Sequence, residues 1–295
     1  MTVWRIVGAV GRTLVGFGIL VLLFTAYLLW GTGLSESSHQ HDLRHQFDKA
    51  LSDSPTIGTS SPADPLAKEL AAGNAPAEGK PLAELVIPKI GLRTVVVQGT
   101  GTDDLHLGPG HYTNTPLPGQ PGNVAIAGHR TTYGAPFYNL NELQPGDLVQ
   151  LTTLQGRFTY SVTRNFIVSP SDGSVLDTSA TAMLTLTTCN PRFSASQRLV
   201  VQAALTSTPV PAPSPSVTPK KVKTSSQSLA GEQGAWGGAA AWGAGALALG
   251  VAAWFVARRR RRSIRWAVCG AAVLPVLVVL FFFFENVSPL LPASY

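Results

Sequence analysis

The chain has 295 residues, 45% of them hydrophobic, and a formal net charge of +6 from 22 Lys and Arg against 16 Asp and Glu. That excess equals the charge of one arginine cluster between two apolar runs, formed by Arg258, Arg259, Arg260, Arg261, Arg262 and Arg265. A nucleic-acid-binding face needs basic residues spread over a folded surface. The charge pattern therefore argues against that class and predicts a cytoplasmic segment beside the membrane.

The N-terminal part of the chain predicts a membrane anchor followed by a stalk. Residues 13–34 form an uncharged apolar run long enough to cross a bilayer as a helix, and residues 1–12, with two arginines, are predicted to be cytoplasmic. A cleaved signal peptide is the alternative, but its apolar region is shorter, and this run contains the bulky sequence YLLW at 27–30. Residues 35–81 are polar and predict a solvated stalk, with a candidate short helix at 42–51.

Residues 82–207 predict an all-β domain. Short β-type runs alternate with Gly, Pro and Asp turns, a pattern typical of a β-barrel or sandwich. The runs lie at 85–87, 94–97, 123–127, 148–151, 158–162, 166–168, 183–188 and 199–205.

The C-terminal part predicts a linker and two further membrane helices. Residues 208–234 are rich in Pro, Ser, Thr and Lys, which is typical of an extended linker. The apolar runs at 235–257 and 266–284 are predicted transmembrane helices, separated by the cytoplasmic arginine cluster at 258–265 and followed by an extracytoplasmic tail at 285–295. The predicted protein is multi-pass in the cell membrane, with its β domain on the extracytoplasmic side.

Cys189 is the strongest candidate for a reactive group. The other cysteine, Cys269, lies in an apolar run and is interpreted as a small buried hydrophobe, so Cys189 has no disulfide partner. Among six histidines, His129 is preferred as its catalytic partner because it follows a buried-strand pattern that would hold it rigidly. Arg198 opens the next β-type run and is preferred as the cation over Arg192, which is interpreted as loop surface.

Five segments of the β domain resemble the sortase family, and within it the class E sortases of actinobacteria. They occur in the family's order and include the candidate histidine, cysteine and arginine. The segments are residues 107–112 (LGPGHY), 115–119 (TPLPG), 128–137 (GHRTTYGAPF), 186–189 (LTTC) and 193–199 (FSASQRL).

The resemblance implies an eight-stranded sortase-type β-barrel with Cys189 near the end of the seventh strand and Arg198 on the eighth. It implies a cysteine transpeptidase that cleaves an LAXTG or LPXTG sorting signal between Thr and Gly through a thioacyl intermediate. The partners it implies are secreted proteins with a C-terminal sorting signal, the amine of a peptidoglycan precursor and the membrane.

The chemistry of that reaction assigns roles to the three candidates. Cys189 is the nucleophile, which needs a nearby cation or base to form a thiolate. His129 protonates the leaving amine and later takes a proton from the incoming amine. Arg198 stabilises the oxyanion of the tetrahedral intermediate.

Four side chains are candidates for lining the peptide groove, with plain barrel packing as the alternative: Tyr112, Tyr133, Thr187 and Thr188. No cofactor is expected. No metal is expected either, because the loop at 169–181 carries only two acidic residues, Asp172 and Asp177.

Three alternative functions remain open from the sequence. The first two, a pilus-type sortase and a hydrolytic thiol protease, use the same nucleophile. The third is a non-catalytic membrane scaffold, in which Cys189→Ala changes no activity.

Overall fold

A computed structural model of the chain describes residues 2–53, 74–206, 236–258 and 262–287. The chain divides into two compact units, one formed by Met1–Thr32 with Ser226–Ala293 and the other by Gly33–Ser225 with Ser294–Tyr295. The predicted linker at 208–234 and most of the predicted tail at 285–295 lie outside the described residues.

The first unit is helical. Its helices are α1 (Thr2–Ala26), α4 (Trp236–Arg258) and α5 (Arg262–Val287), and a π-helix (Tyr27–Gly31) follows α1. Aromatic rings join them: Phe24 lies 5.1 Å from Phe284 between ring centroids, and Trp242 stacks on Phe282 at 4.9 Å.

Helices form where the sequence predicts membrane spans, but they differ from the prediction. Among the described residues, no helix has the length and apolar character that crossing a membrane requires. The structure thus gives no support to the spans predicted at 13–34, 235–257 and 266–284. The first of these is not one regular helix, since α1 ends at Ala26 and the π-helix interrupts the run.

The second unit is a closed eight-stranded barrel with strand order β1-β2-β3-β4-β7-β8-β6-β5. Its ladder is antiparallel except for β2–β3 and β4–β7, which are parallel, and β5 pairs with β1 to close it. This confirms the predicted sortase-type barrel. The strands are β1 (Pro81–Ile87), β2 (Leu92–Gln98), β3 (Gly110–His111), β4 (Asn123–Ala127), β5 (Leu148–Thr153), β6 (Gly156–Val168), β7 (Met183–Asn190) and β8 (Gln197–Leu205).

The strands differ from the sequence prediction at two places. Residues 158–162 and 166–168 belong to one 13-residue strand, β6, with a register shift between Val162 and Arg164. The two-residue strand β3 was missed, because a Gly-Pro-Gly sequence reads as a turn. The predicted and observed strand numbers agree only because these two differences offset each other.

Alternating side chains of the strands fill the barrel interior. Leu85, Ile126, Leu151, Leu186 and Val201 are among the buried members of this core. Because successive residues of a strand face opposite sides, the residues between them on β4, β7 and β8 lie on the outer face.

The predicted stalk is partly wrong, because α2 (Thr32–Asp53) is a 22-residue helix whose residues from Gly33 onward belong to the barrel unit. Leu43 packs with Val95 and Val97 on the outer face of β2, and Leu107, at the end of the short helix α3 (Thr102–Leu107), joins this cluster. Because residues 35–81 contain few apolar residues, the sequence did not show that one side of α2 is buried.

Candidate active site

The three predicted catalytic residues lie on two neighbouring strands and in the segment that follows a third: Cys189 on β7, Arg198 on β8 and His129 two residues after β4. In the β7–β8 register Cys189 lies directly opposite Arg198. On the other side of β7, Ala127 of β4 is level with Thr187, and the Gly128 amide donates to the Thr187 carbonyl at 3.1 Å. His129 lies between Gly128, whose carbonyl accepts from Thr188, and Arg130, which donates to the Cys189 carbonyl. The Cys189 end of β7 is thus bonded to the segment that carries His129 and lies opposite Arg198 on β8.

Strand alternation places the Cys189 side chain on the outer face of the barrel. Leu184 and Leu186 belong to the core, so Thr187 and Cys189 face outward. Thr188 faces the other way, and its hydroxyl donates to the Gly128 carbonyl at 2.7 Å. This contact joins the end of β4 to β7 and gives Thr188 a structural role, unlike the groove position considered from the sequence.

Burial and cations act in opposite directions on the Cys189 thiol. The residue is 5% exposed, and burial raises the pKa of the thiol, while the positive charges of Arg198 and Arg130 lower it. Arg198 is half-buried and donates to the carbonyls of Ala195 at 3.1 Å and Gln197 at 3.2 Å. Those bonds hold the guanidinium at the start of β8, across from Cys189.

His129 is buried and neutral at physiological pH. Burial lowers the pKa of its imidazole to about 3, and repulsion from His106 acts in the same direction. The Thr132 hydroxyl lies 3.3 Å from Nδ1 of His129. Since burial disfavours charge on both groups, the resting pair is a neutral thiol and a neutral imidazole, and charge has to develop when substrate arrives.

Arg130 is a functional candidate that the sequence analysis missed. It is 6% exposed and donates to the Cys189 carbonyl at 2.9 Å, the Asn190 side chain at 2.7 Å and the Asn141 side chain at 2.9 Å. It therefore ties the end of β7 to the β4–β5 loop. Its place directly after His129 was a usable signal, but only the fold shows that it reaches β7.

Arg192, the alternative cation, is engaged away from Arg198. Its guanidinium donates to the Tyr138 carbonyl and the Asn139 side chain, both at 3.3 Å, and lies 4.0 Å above the Tyr138 ring. These contacts fix the β7–β8 loop against the β4–β5 loop. They agree with the interpretation of Arg192 as a loop residue.

The other predicted groove residues divide into two sets. Tyr112 lies with its hydroxyl 3.4 Å from the Thr187 hydroxyl, and the charges of Arg198 and Cys189 both act on its pKa, which burial raises. Tyr112 and Thr187 are thus beside the candidate nucleophile. Tyr133 instead packs against both His106 and His129, with ring centroids at 3.9 Å and 5.0 Å.

Polar groups of the β6–β7 loop bond within the loop and to the start of β4. The Asp172 carboxylate accepts from the Ser174 amide at 3.1 Å, and Asn123 donates to the Asp177 carbonyl at 3.0 Å. Across the described ranges, no group of three or more His, Cys, Asp or Glu is arranged to hold a metal ion.

Comparison with known proteins identifies the domain. The family model for the sortase domain matches residues 85–206, which include every barrel strand except most of β1. The chain belongs to the sortase family. This sortase is 32% identical over 209 residues to Sortase SrtE1 of Streptomyces coelicolor, an alignment covering 65% of this chain and 55% of the relative. It is 37% identical over 117 residues to Sortase D of Bacillus subtilis, covering 39% of this chain and 58% of the relative.

Solved sortase E structures are also similar. Sortase E from Streptomyces avermitilis is 42% identical, with 45% of this chain and 91% of that chain covered and a TM-score of 0.41. Sortase E1 from Streptomyces coelicolor with a tripeptide in the active site is 33% identical, with 45% and 92% covered and a TM-score of 0.41. The sortase described here spans little more than half the length of the curated relatives it matches.

Proposed function

We propose that this sortase is a cysteine transpeptidase that cleaves a LAXTG- or LPXTG-type sorting signal between Thr and Gly and transfers the acyl part to an amine. The observation that carries the proposal is that Cys189 lies opposite Arg198 on β8, while its end of β7 is bonded to Gly128 and Arg130, the two neighbours of His129. These are the three groups that acyl transfer requires: a nucleophile, an acid–base group and an oxyanion partner.

The first half-reaction forms a thioester. As substrate covers the site, the Cys189 proton passes to His129, and Sγ attacks the Thr carbonyl carbon. The oxyanion of the tetrahedral intermediate is stabilised by the Arg198 guanidinium, whose charge is preorganised by its backbone hydrogen bonds. Collapse breaks the C–N bond, and His129 returns its proton to the departing Gly amine.

The second half-reaction transfers the acyl group. The acceptor amine attacks the thioester carbon, His129 removes the amine proton, and the thiolate leaves as the amide forms. The proton then returns to Cys189, so the enzyme is regenerated. We propose the amine of a peptidoglycan precursor as the acceptor and a secreted protein with a C-terminal sorting signal as the donor.

Tyr112 and Thr187 are the proposed contacts for the signal peptide. Their hydroxyls lie together on the outer face beside Cys189. A tyrosine there offers apolar area with a hydrogen-bonding hydroxyl, which suits a peptide with a small residue or Pro at its second position.

We also propose that the sortase works at the cell membrane with its barrel on the extracytoplasmic side. The support is the sequence, in which arginines border the apolar runs. Fractionation of cells that express the tagged full chain, followed by external protease, tests this proposal. Recovery in the soluble cytoplasmic fraction would refute it.

The test of the activity uses the purified full chain and fluorogenic LAXTG and LPXTG peptides, with and without triglycine. We expect cleavage that Cys189→Ala abolishes, and a ligated product when triglycine is present. Cleavage without ligation to triglycine or other amines would favour the hydrolytic thiol protease. Activity that persists in Cys189→Ala would contradict both enzymes.

A further inference from the structure

Three aromatic rings pack against one another: His106 of α3, and His129 and Tyr133, which are four residues apart in the β4–β5 loop. His106 of α3 lies on Tyr133 with ring centroids 3.9 Å apart and ring planes 15° apart. Tyr133 packs on His129 at 5.0 Å and 32°, and the two histidine rings lie 6.1 Å apart. We call His106, Tyr133 and His129 the ring stack.

The Tyr133 ring is held in the stack by an unusual backbone. Tyr133, Gly134 and Ala135 have φ angles of 48°, 70° and 46°, so three consecutive residues are left-handed. For residues with a Cβ this conformation is unfavourable. The turn is fixed where the Ala135 amide donates to Thr132 at 2.9 Å and the Phe137 amide donates to His129 at 3.0 Å. A strained turn beside a candidate catalytic group points to a functional constraint.

His106 is also fixed from its own side. The Gln40 side chain donates to the carbonyl of Leu107 at 2.9 Å, which ties the end of α3 to α2. At the start of α3 the Asp104 carboxylate accepts from the Gly101 amide at 3.1 Å. His106 therefore belongs to a short helix that is capped at its start and tied to α2 at its end.

The contribution of His106 near neutral pH is ring contact and not charge. Burial lowers its pKa to about 4, with Asp103 acting to raise it and His39 of α2 to lower it. The charged and titratable groups near the stack include these two residues, the stack's own histidines and Glu36 of α2, whose carboxyl group lies beside Gly134. His106 is thus a neutral ring that lies on Tyr133, with its centroid 6.1 Å from that of the His129 imidazole.

We propose that His106 is a positioning residue for His129 and acts through Tyr133. This inference rests on the proposed function, in which His129 must transfer a proton to an amine within hydrogen-bond reach. A flat ring at position 106 is the required feature, because a histidine or a phenylalanine covers Tyr133 equally well. His106 itself does not contact the substrate in this proposal.

The test compares His106→Ala with His106→Phe in the purified full chain. We expect His106→Ala to lower kcat about tenfold or more with KM within about twofold, and His106→Phe to restore kcat to within about threefold of the unmodified chain. His41→Ala, on the exposed side of α2, is the matched control and should change neither value. Thermal unfolding of each variant separates a loss of folding from a loss of positioning.

A second readout does not depend on activity. NMR titration of the His129 ring should show a higher pKa in His106→Ala, because water reaches the imidazole, and little change in His106→Phe. The proposal is overturned if His106→Ala retains full kcat, if His106→Phe is as impaired as His106→Ala, or if the His129 titration is the same in all variants. If the unmodified chain shows no cysteine-dependent cleavage, the proposed function fails while the titration still decides the role of His106.

Discussion

Two arginines act on Cys189 from different positions. Arg198 faces it across the β7–β8 pair and is half exposed, whereas Arg130 is buried and bonds to the Cys189 carbonyl. Arg198 can therefore stabilise a charge that develops in the reaction. Arg130 fixes the position of the backbone that carries the candidate nucleophile.

Replacing Arg198 should make the thiol less acidic. Burial raises the pKa of Cys189, and the charge of Arg198 is the largest effect that lowers it. Arg198→Gln removes that charge, so the pKa of Cys189 rises further above its ordinary value. We expect alkylation of Cys189 by iodoacetamide at pH 7 to slow roughly 3- to 10-fold, since each pKa unit changes the thiolate fraction about tenfold. Peptide cleavage should fall by about 10²–10³. An equal effect of Arg192→Gln, the control, would contradict this assignment.

Replacing Arg130 should affect both stability and turnover. In Arg130→Lys one ammonium replaces a planar fork that reaches Cys189, Asn190 and Asn141. Leaving the buried Cys189 carbonyl and the part-buried Asn190 contact without a matching donor should cost about 1–3 kcal/mol of unfolding free energy, and kcat should fall because β7 loses its anchor. Unfolding in denaturant measures the stability, and peptide cleavage kinetics measure kcat. The control is Arg157→Lys, at an exposed position of β6. Unchanged stability of Arg130→Lys would refute the anchoring role.

Among single residues, those that lie in a short sequence motif could be predicted from the sequence. Those whose role depends on contacts made only in the folded barrel could not. Cys189 and Arg198 are signalled by their place around a strand–loop–strand pattern, and the structure brings them opposite each other. Arg130 and His106 act through contacts with residues 59 and 27 positions away. For Thr188 the sequence left groove lining and barrel packing open, because it does not say which face of β7 is inside.

Among the elements, α2 stabilises the barrel at its weakest strand. β3 has two residues, so much of β2 lacks a strand partner on that side. Gln40 fills part of this gap: its amide donates to the Val95 carbonyl at 3.0 Å and its oxygen accepts from the Val95 amide at 2.7 Å. A single side chain here makes the pair of bonds that a neighbouring strand would make.

Gln40→Met should therefore loosen α2 and α3 together. The substitution keeps the length of the side chain but leaves the Val95 and Leu107 groups without partners, at a cost of about 1–3 kcal/mol. We expect faster hydrogen exchange of the amides of Val95 and α3, and a lower kcat because His106 moves. The exposed Gln46→Met on the same helix should leave exchange unchanged. If the amides of Val95 and α3 exchange as slowly in Gln40→Met as in Gln46→Met, Gln40 does not hold α2 and α3 to β2.

Most strands could be predicted from the alternation of apolar and polar residues and from turn residues. The elements β3 and α2 and the full length of β6 could not. β3 has too few residues to show a period, and α2 exposes most of its polar surface while burying residues such as Leu43 and Phe47. The long β6 was divided because Thr163, Arg164 and Asn165 interrupt its apolar pattern near the register shift. These features follow from neighbours in space and not from local periodicity.

In the barrel unit as a whole, buried histidines make the free energy of unfolding depend on pH. Burial lowers the pKa of His106 and His111 to about 4 and of His129 to about 3, from an ordinary value of 6.5. Below pH 6.5 the unfolded chain therefore binds more protons than the folded barrel, and stability is lost as the pH falls. Glu36 acts in the opposite direction between its ordinary 4.5 and about 7, because burial raises its pKa.

We expect the unfolding free energy to fall from pH 6.5 toward pH 4, with each histidine adding a slope of about 1.4 kcal/mol per pH unit and Glu36 subtracting one such slope. Glu36→Gln should make the fall steeper, whereas the exposed Glu142→Gln should not. Hydrogen exchange of β4 and β7 amides is the suitable measurement, because all six tryptophans lie outside the barrel unit. A flat profile between pH 6.5 and 4 would contradict the prediction.

The closure of β5 onto β1 decides how a peptide can be recognised. Many proteins capture an extended peptide by adding it as a strand to an open sheet edge, but this ladder returns to its first strand. Because β1 and β5 pair with each other, recognition of the peptide substrate proposed above would rely on the segments that join the strands and on side chains of the outer face. Signal preference can change in those connections while the hydrogen-bonded wall is left intact. In evolution, selection for a new substrate is thereby separated from selection for a stable fold.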